Sequence, residues 1–335
     1  MTETNRRMIL AQRPTGMVDD TIVTMEEAPV PEPGDGEYVV KVSHVSIDPT
    51  IRTWMDDAPG YLPPIGIGEV VRSGGLGTVV ASRNDEFPVG TTVFGMLGWQ
   101  DYALVDGTPG TGNVVPDGMD PTAVLSVFGV TGMTAYFGLL DVGEPKESDV
   151  VVVSGAAGAT GSVVGQIAKL KGAGKVVGIA GGPEKCRWIV DELGFDEAID
   201  YKAGDVGEAL SAACPEGIDV YFDNVGGEIL DAVLERISIG ARVVLCGAIS
   251  AYNDRGSAYR LKNSFMLIMR RAKMQGFLIL DYLDRFPEAQ GEMFGWVLDG
   301  KVKHAVHVVE GLERTPEALN LLFTGGNTGK VIVAL

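Results

Sequence analysis

Residues 150–170, Val-Val-Val-Val-Ser-Gly-Ala-Ala-Gly-Ala-Thr-Gly-Ser-Val-Val-Gly-Gln-Ile-Ala-Lys-Leu, limit what this chain can fold into more than any other stretch. Val150 to Val153 is a β-branched run without polar alternation, the pattern of a strand buried on both faces of a parallel sheet. The glycines that follow demand a tight turn. From Thr160 onward the apolar residues Val163, Val164, Ile167 and Leu170 recur at helical spacing. Strand, glycine turn and helix make the first half of a dinucleotide-binding βαβ unit. In such a unit the turn lets backbone approach a pyrophosphate, and the helix N-terminus faces it with unpaired N–H groups. The strict G-x-G-x-x-G spacing is not met, because Ala156 stands where its first glycine belongs. What remains is Ala156-x-Gly158-x-x-Gly161 with Gly155 alongside. Close packing of a helix on a strand would explain the same glycines, so the identification rests on the whole strand–turn–helix context.

The next residues bear on which dinucleotide fits. Lys175 to Ala180 is the second strand and closes the βαβ unit at its usual length. An NAD site wants an Asp or Glu at that strand's end to accept from the ribose hydroxyls. Here the chain reads Gly181-Gly182-Pro183-Glu184-Lys185. With glycine at the carboxylate position nothing repels a 2′-phosphate, and Lys185 follows closely enough to neutralise one. Pro183 suits the first turn of the next helix. A solvated first-turn lysine is the plainer account of Lys185 alone; the missing acid and the nearby base together favour NADP(H).

Composition sets the outer limits. At 335 residues, 45% of them apolar, the chain is long enough for two domains with cores of their own. A net charge of −18 argues against nucleic acid, whose phosphates need a basic surface, and against anionic lipid. No apolar run approaches the ~20 residues of a membrane span. The opening Met-Thr-Glu-Thr-Asn-Arg-Arg-Met has no apolar stretch of signal-peptide length behind it. A cytoplasmic protein is expected. Cys186, Cys214 and Cys246 are scattered without C-x-x-C spacing, which excludes a disulfide framework and a structural zinc ribbon. Cys246 follows Val243-Val244-Leu245 and reads as the buried end of a strand rather than a nucleophile. His44 sits in a strand context, and His304 and His307 lack the period of two that aims rings to one strand face. No metal site is expected.

Residues 1 to about 125 read as short strands separated by turn clusters such as Pro31-Glu32-Pro33-Gly34-Asp35-Gly36, an all-β, barrel-like pattern. Strands are expected in Tyr38–Ile47, Gly77–Ser82 and Thr92–Gly95, with an irregular loop at Pro63–Gly68. Between Met119 and Leu140 the pattern turns helical. Helices are then expected near Thr160–Lys171, Pro183–Leu193, Val206–Ala213, Glu228–Ile237 and Ala289–Leu298. They alternate with strands near Val150–Val153, Val176–Ile179, Glu197–Ile199, Asp219–Phe222, Arg242–Leu245 and Met274–Leu280, which makes a doubly wound sheet. The last strand, Lys330 to Val333, implies that the C-terminus returns to the first domain.

Several motifs in order make the chain resemble the zinc-independent medium-chain dehydrogenase/reductases. The branch is that of the NADPH-dependent alkenal/one oxidoreductases, prostaglandin reductases and curcumin-reductase-like enzymes. The motifs are Gly132-Met133-Thr134-Ala135-Tyr136-Phe137-Gly138, Gly194-Phe195-Asp196, Phe222-Asp223-Asn224-Val225-Gly226-Gly227 and Cys246-Gly247-Ala248-Ile249-Ser250-Ala251-Tyr252-Asn253. The resemblance runs from Val45-Ser46-Ile47-Asp48-Pro49 to Gly325-Gly326-Asn327-Thr328-Gly329-Lys330. It implies an α/β fold with a GroES-like β-barrel domain, residues 1–125 with a returning segment 309–335, and a doubly wound Rossmann domain, residues 126–308. It implies that Gly158, Ala159, Thr160 and Gly161 cradle the pyrophosphate and that Lys185 and Tyr201 bind the 2′-phosphate. Asn224 is then placed near the ribose. Cys246, Gly247, Ala248, Ile249, Ser250 and Tyr252, with Phe277, Leu278 and Ile279, line the nicotinamide end, and Asn327 reaches it from the C-terminal segment. Asparagine is also common in glycine-rich turns for backbone reasons, so the roles of Asn224 and Asn327 rest on the resemblance.

Zinc-binding relatives carry a cysteine early in the barrel and a Gly-His-Glu motif after it; this chain has Asp48 and Gly66-Ile67-Gly68-Glu69 near those places. It also departs from the branch's Asp-Pro-Tyr-Met-Arg, reading Asp48-Pro49-Thr50-Ile51-Arg52, which predicts a roomier or more polar pocket. The implied reaction is NADPH-dependent reduction of the C=C bond of α,β-unsaturated aldehydes and ketones. Tyr252 is the candidate donor to the forming enolate, with the cofactor's ribose 2′-hydroxyl and solvent as other proton sources. A loop tyrosine packed over cofactor without chemical duty is the alternative for Tyr252. The alternatives for the whole chain are an NADPH:quinone oxidoreductase and a non-catalytic NADPH-binding protein. A homodimer paired through the edge strand near Met274–Leu280 is expected, on a small-molecule substrate and no macromolecular one.

Overall fold

The structure, a computed structural model, describes residues 4–108, 110–253, 256 and 259–335. The first three residues of the opening stretch lie outside them. The chain forms two compact units, Met1–Leu125 with Val306–Leu335, and Ser126–Ala305.

The first unit begins with β1 (Thr4–Leu10) and β2 (Val23–Pro29), paired antiparallel as a two-stranded ribbon. Then come β3 (Tyr38–Ile47), helix α1 (Thr50–Trp54), β4 (Gly75–Ser82), β5 (Thr92–Gly95), β6 (Tyr102–Val105), β7 (Gly112–Val114) and helix α2 (Pro121–Leu125). The second unit carries α3 (Val130–Phe137) continued by a wide turn Gly138–Gly143, β8 (Val150–Ser154), α4 (Ala159–Leu170), β9 (Lys175–Ala180), α5 (Pro183–Asp191) and β10 (Glu197–Asp200). It goes on through α6 (Val206–Ala213), β11 (Ile218–Asp223), α7 (Gly227–Glu235), β12 (Ile237–Leu245), α8 (Met266–Arg270), β13 (Lys273–Gly276) and α9 (Phe286–Leu298). The chain then returns to the first unit with β14 (Val306–Glu310), α10 (Thr315–Thr324) and β15 (Lys330–Ala334).

In the first unit the strands run β14-β15-β3-β4-β5-β7, with β6 also on β3. β15 pairs antiparallel with β3, Val333 opposite Val45. Val40, Val42, Val45, Trp99, Val331 and Val333 are all buried, so the returning strand is part of this unit's core rather than an appendage.

The second unit is a six-stranded parallel sheet in the order β10-β9-β8-β11-β12-β13, the doubly wound 3-2-1-4-5-6 arrangement. Val151, Val152 and Val153 are fully buried, as an unbroken β-branched run in the first central strand requires. Ile237 opens β12 rather than closing α7. The expected strand Met274–Leu280 is only Lys273–Gly276, because its partner β12 ends at Leu245, opposite Gly276, and leaves no ladder beyond it. Leu278 then precedes a single 3₁₀ stretch, Ile279–Arg285.

Helix α4 lies on the sheet through glycines. A Cβ on Gly165 would stand 1.9 Å from Cζ of Phe195, a ring that is 2% exposed. Gly165→Ala, which raises helix propensity by ~1 kcal/mol elsewhere, is therefore expected to destabilise the protein by about 1–3 kcal/mol through overpacking. Urea unfolding measures this; a stabilised variant would refute the packing account.

Candidate cofactor and active site

Ligands of open parallel sheets bind outside the carboxyl ends of the strands, where the strand order reverses. In this chain that point lies between β8 and β11. Gly155 leaves β8 with φ 60°, a conformation that disfavours a side chain. A Cβ on Gly161 would sit 2.4 Å from the Gly155 carbonyl oxygen, so only glycine lets the first turn of α4 close on the strand's end. Gly158 precedes the helix in extended geometry, and the amides of Ala159, Thr160 and Gly161 have no carbonyl a turn earlier to bond. Ala156 is fully buried behind the turn, 2.8 Å from where a Cβ on Gly178 would stand. The substitution for the first glycine of the motif thus faces the sheet, not the ligand side.

Across the reversal point a polar network ties the two strands. The Asp223 carboxylate, 1% exposed, accepts at Oδ1 from Tyr221 Oη (2.8 Å), Ser154 Oγ (3.0 Å) and the amides of Val225 (3.0 Å) and Gly226 (2.9 Å). Desolvation nonetheless holds its pKa above the ordinary carboxylate value. Ser154 Oγ in turn accepts from the Asn224 amide at 2.9 Å, and Asn224 Nδ2 donates to the Ser154 carbonyl at 2.7 Å. The Asp223 carbonyl accepts from the amides of Cys246 (2.9 Å) and Gly247 (3.0 Å). Ser250 Oγ donates to the Val225 carbonyl at 2.7 Å. Cys246, Gly247, Ala248, Ile249 and Ser250 are thereby strapped to the turn that carries Asn224. Tyr252 closes this strap, since its phenol oxygen accepts from the Ala248 amide at 3.1 Å. That bond uses an oxygen lone pair, not the hydroxyl proton.

A second corner forms at the end of β9. Lys185 lies in the first turn of α5, and Tyr201, after β10, packs against Gly181. A Cβ there would meet Tyr201 Cε1 at 2.8 Å and its oxygen at 2.9 Å, so an acidic side chain cannot occupy this position with Tyr201 in place. Lys185 is half-buried, and burial, then the charge of Lys202, pull its ammonium below the ordinary lysine value. Asp200 Oδ1 accepts from the amides of Gly182 (2.8 Å) and Lys202 (2.9 Å) and fixes the corner's backbone.

Phe277 packs inward: a Cβ on Gly138 would lie 2.4 Å from its Cζ. Leu278 is 40% exposed, and Ile279 begins the 3₁₀ stretch. Asn327 belongs to the first unit, where Nδ2 donates to the Gly329 carbonyl at 2.9 Å. In that unit Asp48 Oδ1 pairs with buried Lys330 at 2.6 Å and Oδ2 accepts from Ser46 Oγ at 2.6 Å. Glu69 accepts from the Gly66 amide at 2.8 Å. Beside Thr50 stands Tyr61, whose phenol is pushed above its ordinary pKa by burial, while Thr50 and Trp54 act against the rise. Sequence reasoning passes over Tyr61, Ser154 and Lys202. Ser154 was legible only as the residue ending a buried strand, Lys202 only as a neighbour of Tyr201, and Tyr61 gave no signal.

Two family models match the chain, one described as the N-terminal domain of oxidoreductase over residues 6–112, the other as zinc-binding dehydrogenase over residues 159–294. The NADPH-dependent curcumin reductase of Escherichia coli is 41% identical over 98% of this chain and 96% of its own. The 2-alkenal reductase (NADP(+)-dependent) of Nicotiana tabacum is 37% identical over 98% and 97%. The chain belongs to the zinc-independent medium-chain dehydrogenase/reductases, in their branch of NADP-dependent oxidoreductases. The crystal structure of CurA from Vibrio vulnificus in complex with NADPH matches it with a TM-score of 0.93, at 44% identity and 98% coverage of both chains. The residues of this member fit NADP(H): the absence of a Cβ on Gly161 lets the first turn of α4 close on the Gly155 carbonyl, and at Gly181 the Tyr201 ring and the Lys202 stem occupy the place an acidic side chain would need. The zinc of the second description has no counterpart in a ligand cluster. Among the described residues no group of three His, Cys, Asp or Glu is placed to hold a metal, and Asp48 and Glu69 are engaged otherwise.

The cysteines are poor nucleophiles. Burial pushes the Cys214 thiol up to about 11, and burial with the Asp223 charge pushes Cys246 up to about 12. Burial and Asp200 raise Cys186 as well. With so little thiolate near neutral pH, iodoacetamide at pH 7.5 is expected to label the native protein slowly and leave its activity intact, whereas urea-unfolded protein labels at all three positions. Rapid stoichiometric labelling of one cysteine with loss of activity would contradict this.

Proposed function

We propose that the protein reduces the C=C bond of α,β-unsaturated aldehydes and ketones with NADPH. The observation that carries this reading is the position of Tyr252, a phenol pinned by the Ala248 amide to the strap at the carboxyl ends of β11 and β12. The names of the curcumin and 2-alkenal reductase relatives support it. The cofactor supplies hydride to the alkene β-carbon. The glycine turn and the first amides of α4 hold a pyrophosphate, and Lys185 with Tyr201 holds the 2′-phosphate. The strap shields the reacting face and presents Tyr252. Its hydroxyl donates to the substrate carbonyl oxygen as charge grows there, and the amide bond to its own oxygen strengthens that donation. The enolate then takes a proton at the α-carbon, from the tyrosine, a ribose hydroxyl or water.

We also infer a cytoplasmic homodimer joined through β13. That strand ends the sheet, and Phe265, Ile268 and Met269, in and just before the helix that precedes it, are exposed apolar residues. Its edge is less bare than the sequence suggests, since it opens with exposed Lys273. Among the described residues no helix is long and apolar enough to cross a membrane.

With methyl vinyl ketone as substrate, NADPH should be consumed and the saturated ketone should form, faster than NADPH is consumed with benzoquinone. A faster quinone reaction, or the allylic alcohol as product, would overturn the assignment. Tyr252→Phe should lower the single-turnover hydride-transfer rate by about tenfold, below the ~10²–10³ of an irreplaceable oxyanion donor because ribose hydroxyl or water substitutes. NADPH affinity should stay unchanged. A full rate in the variant would make Tyr252 a packing residue. Light scattering at micromolar concentration should report a dimer, and a monomer would remove the β13 interface.

A further inference from the structure

At the Gly181 corner one cation remains without an assigned task. Lys202 follows Tyr201, and its stem folds over the corner rather than away from it: Cε lies 3.0 Å from the point a Gly181 Cβ would occupy. Nζ stands 5.9 Å from the centroid of the Tyr201 ring. Its backbone is held by the same Asp200 oxygen that holds Gly182 at the start of α5, so Lys202 and the α5 N-terminus move as one piece. Among the described residues Lys202 makes no ion pair, although the chain carries 45 acidic side chains against 27 lysines and arginines. Its charge also reaches Lys185, whose ammonium it disfavours. Lys185 and Lys202 thus repel each other, and a dianionic phosphate between them would reverse that cost.

We propose that Lys202 is a second cation for the adenosine 2′-phosphate of NADP(H), sharing with Lys185 the discrimination against NAD(H). The proposal rests on the NADP(H) site described above and adds to it a specificity-determining residue. Lys185 approaches from the first turn of α5 and Lys202 from the loop after β10, so the phosphate is held from two elements. Tyr201 lies between them. The arrangement also accounts for glycine at 181. A side chain there would displace the Tyr201 ring and the Lys202 stem together, and with them two of the three phosphate contacts.

The test is calorimetric titration of NADPH, NADH, 2′,5′-ADP and 5′-AMP into native protein and into Lys202→Met, Lys202→Arg and Lys185→Met. Lys202→Met should weaken NADPH and 2′,5′-ADP by about fivefold to tenfold, the size of one charge-assisted contact at a partly exposed site. NADH and 5′-AMP should stay within about twofold, and Lys202→Arg should recover most of the loss. Loss of NADPH affinity should be larger at low salt. Unchanged NADPH affinity in Lys202→Met, with a loss in Lys185→Met, would overturn this proposal and leave the NADP(H) site standing. Equal losses for NADPH and NADH would overturn it too, since the effect would then not lie at the 2′-phosphate. If native protein binds 2′,5′-ADP no better than 5′-AMP, the phosphate corner itself is wrong.

Discussion

The carboxylate of Asp223 gathers four donors from two segments of chain at the place where the parallel sheet reverses its strand order. The ladder between β8 and β11 ends at Val153 and Phe222, and the turns beyond it need another source of order. Asp223 supplies it from inside, where a charge–dipole bond is weakly screened. Through Ser154 the network fixes Asn224, and through the Asp223 carbonyl it fixes the strap that carries Tyr252. The cofactor turn and the proposed proton donor therefore depend on one buried acid. The network is held by specific bonds in a dry environment, where loss of any donor leaves a partner unsatisfied at about 1–3 kcal/mol.

A chain with net charge −18 must hold a polyanionic cofactor against its own field. The fold answers locally. At the proposed pyrophosphate position it offers backbone amides and a helix dipole, which carry no net charge. At the end of β9, the proposed adenosine end, it has glycine in place of an acid and the Lys202 stem beside it. A local potential of this kind acts at contact distance, well within the ~8 Å screening length of physiological salt. Overall acidity and phosphate binding are thus compatible.

The first unit makes a different use of charge. Lys330 is 2% exposed, and burial pulls its ammonium below the ordinary value while Asp48 works against the pull. It donates to the Ile47 carbonyl at 2.7 Å and to Asp48 at 2.6 Å, and so joins the end of β3 to the start of β15. Removing Asp48 would strand the buried Lys330 ammonium, at a cost of about 3–5 kcal/mol. Asp48 is thereby a carboxylate committed to holding the C-terminal strand.

Much of this was legible in the chain itself. The unbroken valines of residues 150–153, the glycines at 155, 158 and 161, and the alternation of strand and helix patterns dictate a parallel sheet with a ligand turn, because backbone sterics and side-chain period act over a few residues. The missing acid at Gly181 was equally local. Other features depended on partners far away in sequence. The strand expected at Met274–Leu280 stops at Gly276 because β12 stops at Leu245, and no local propensity records where a neighbour ends. The bonds of Asp223 to Ser154, the approach of Lys202 to Gly181, and the pairing of Lys330 with Asp48 join residues 69, 21 and 282 positions apart. Sequence determined which elements form, since hydrophobic period and turn chemistry are properties of neighbouring residues. Tertiary structure decided which polar groups meet, since burial and hydrogen-bond geometry are set only when the strand ends are brought side by side.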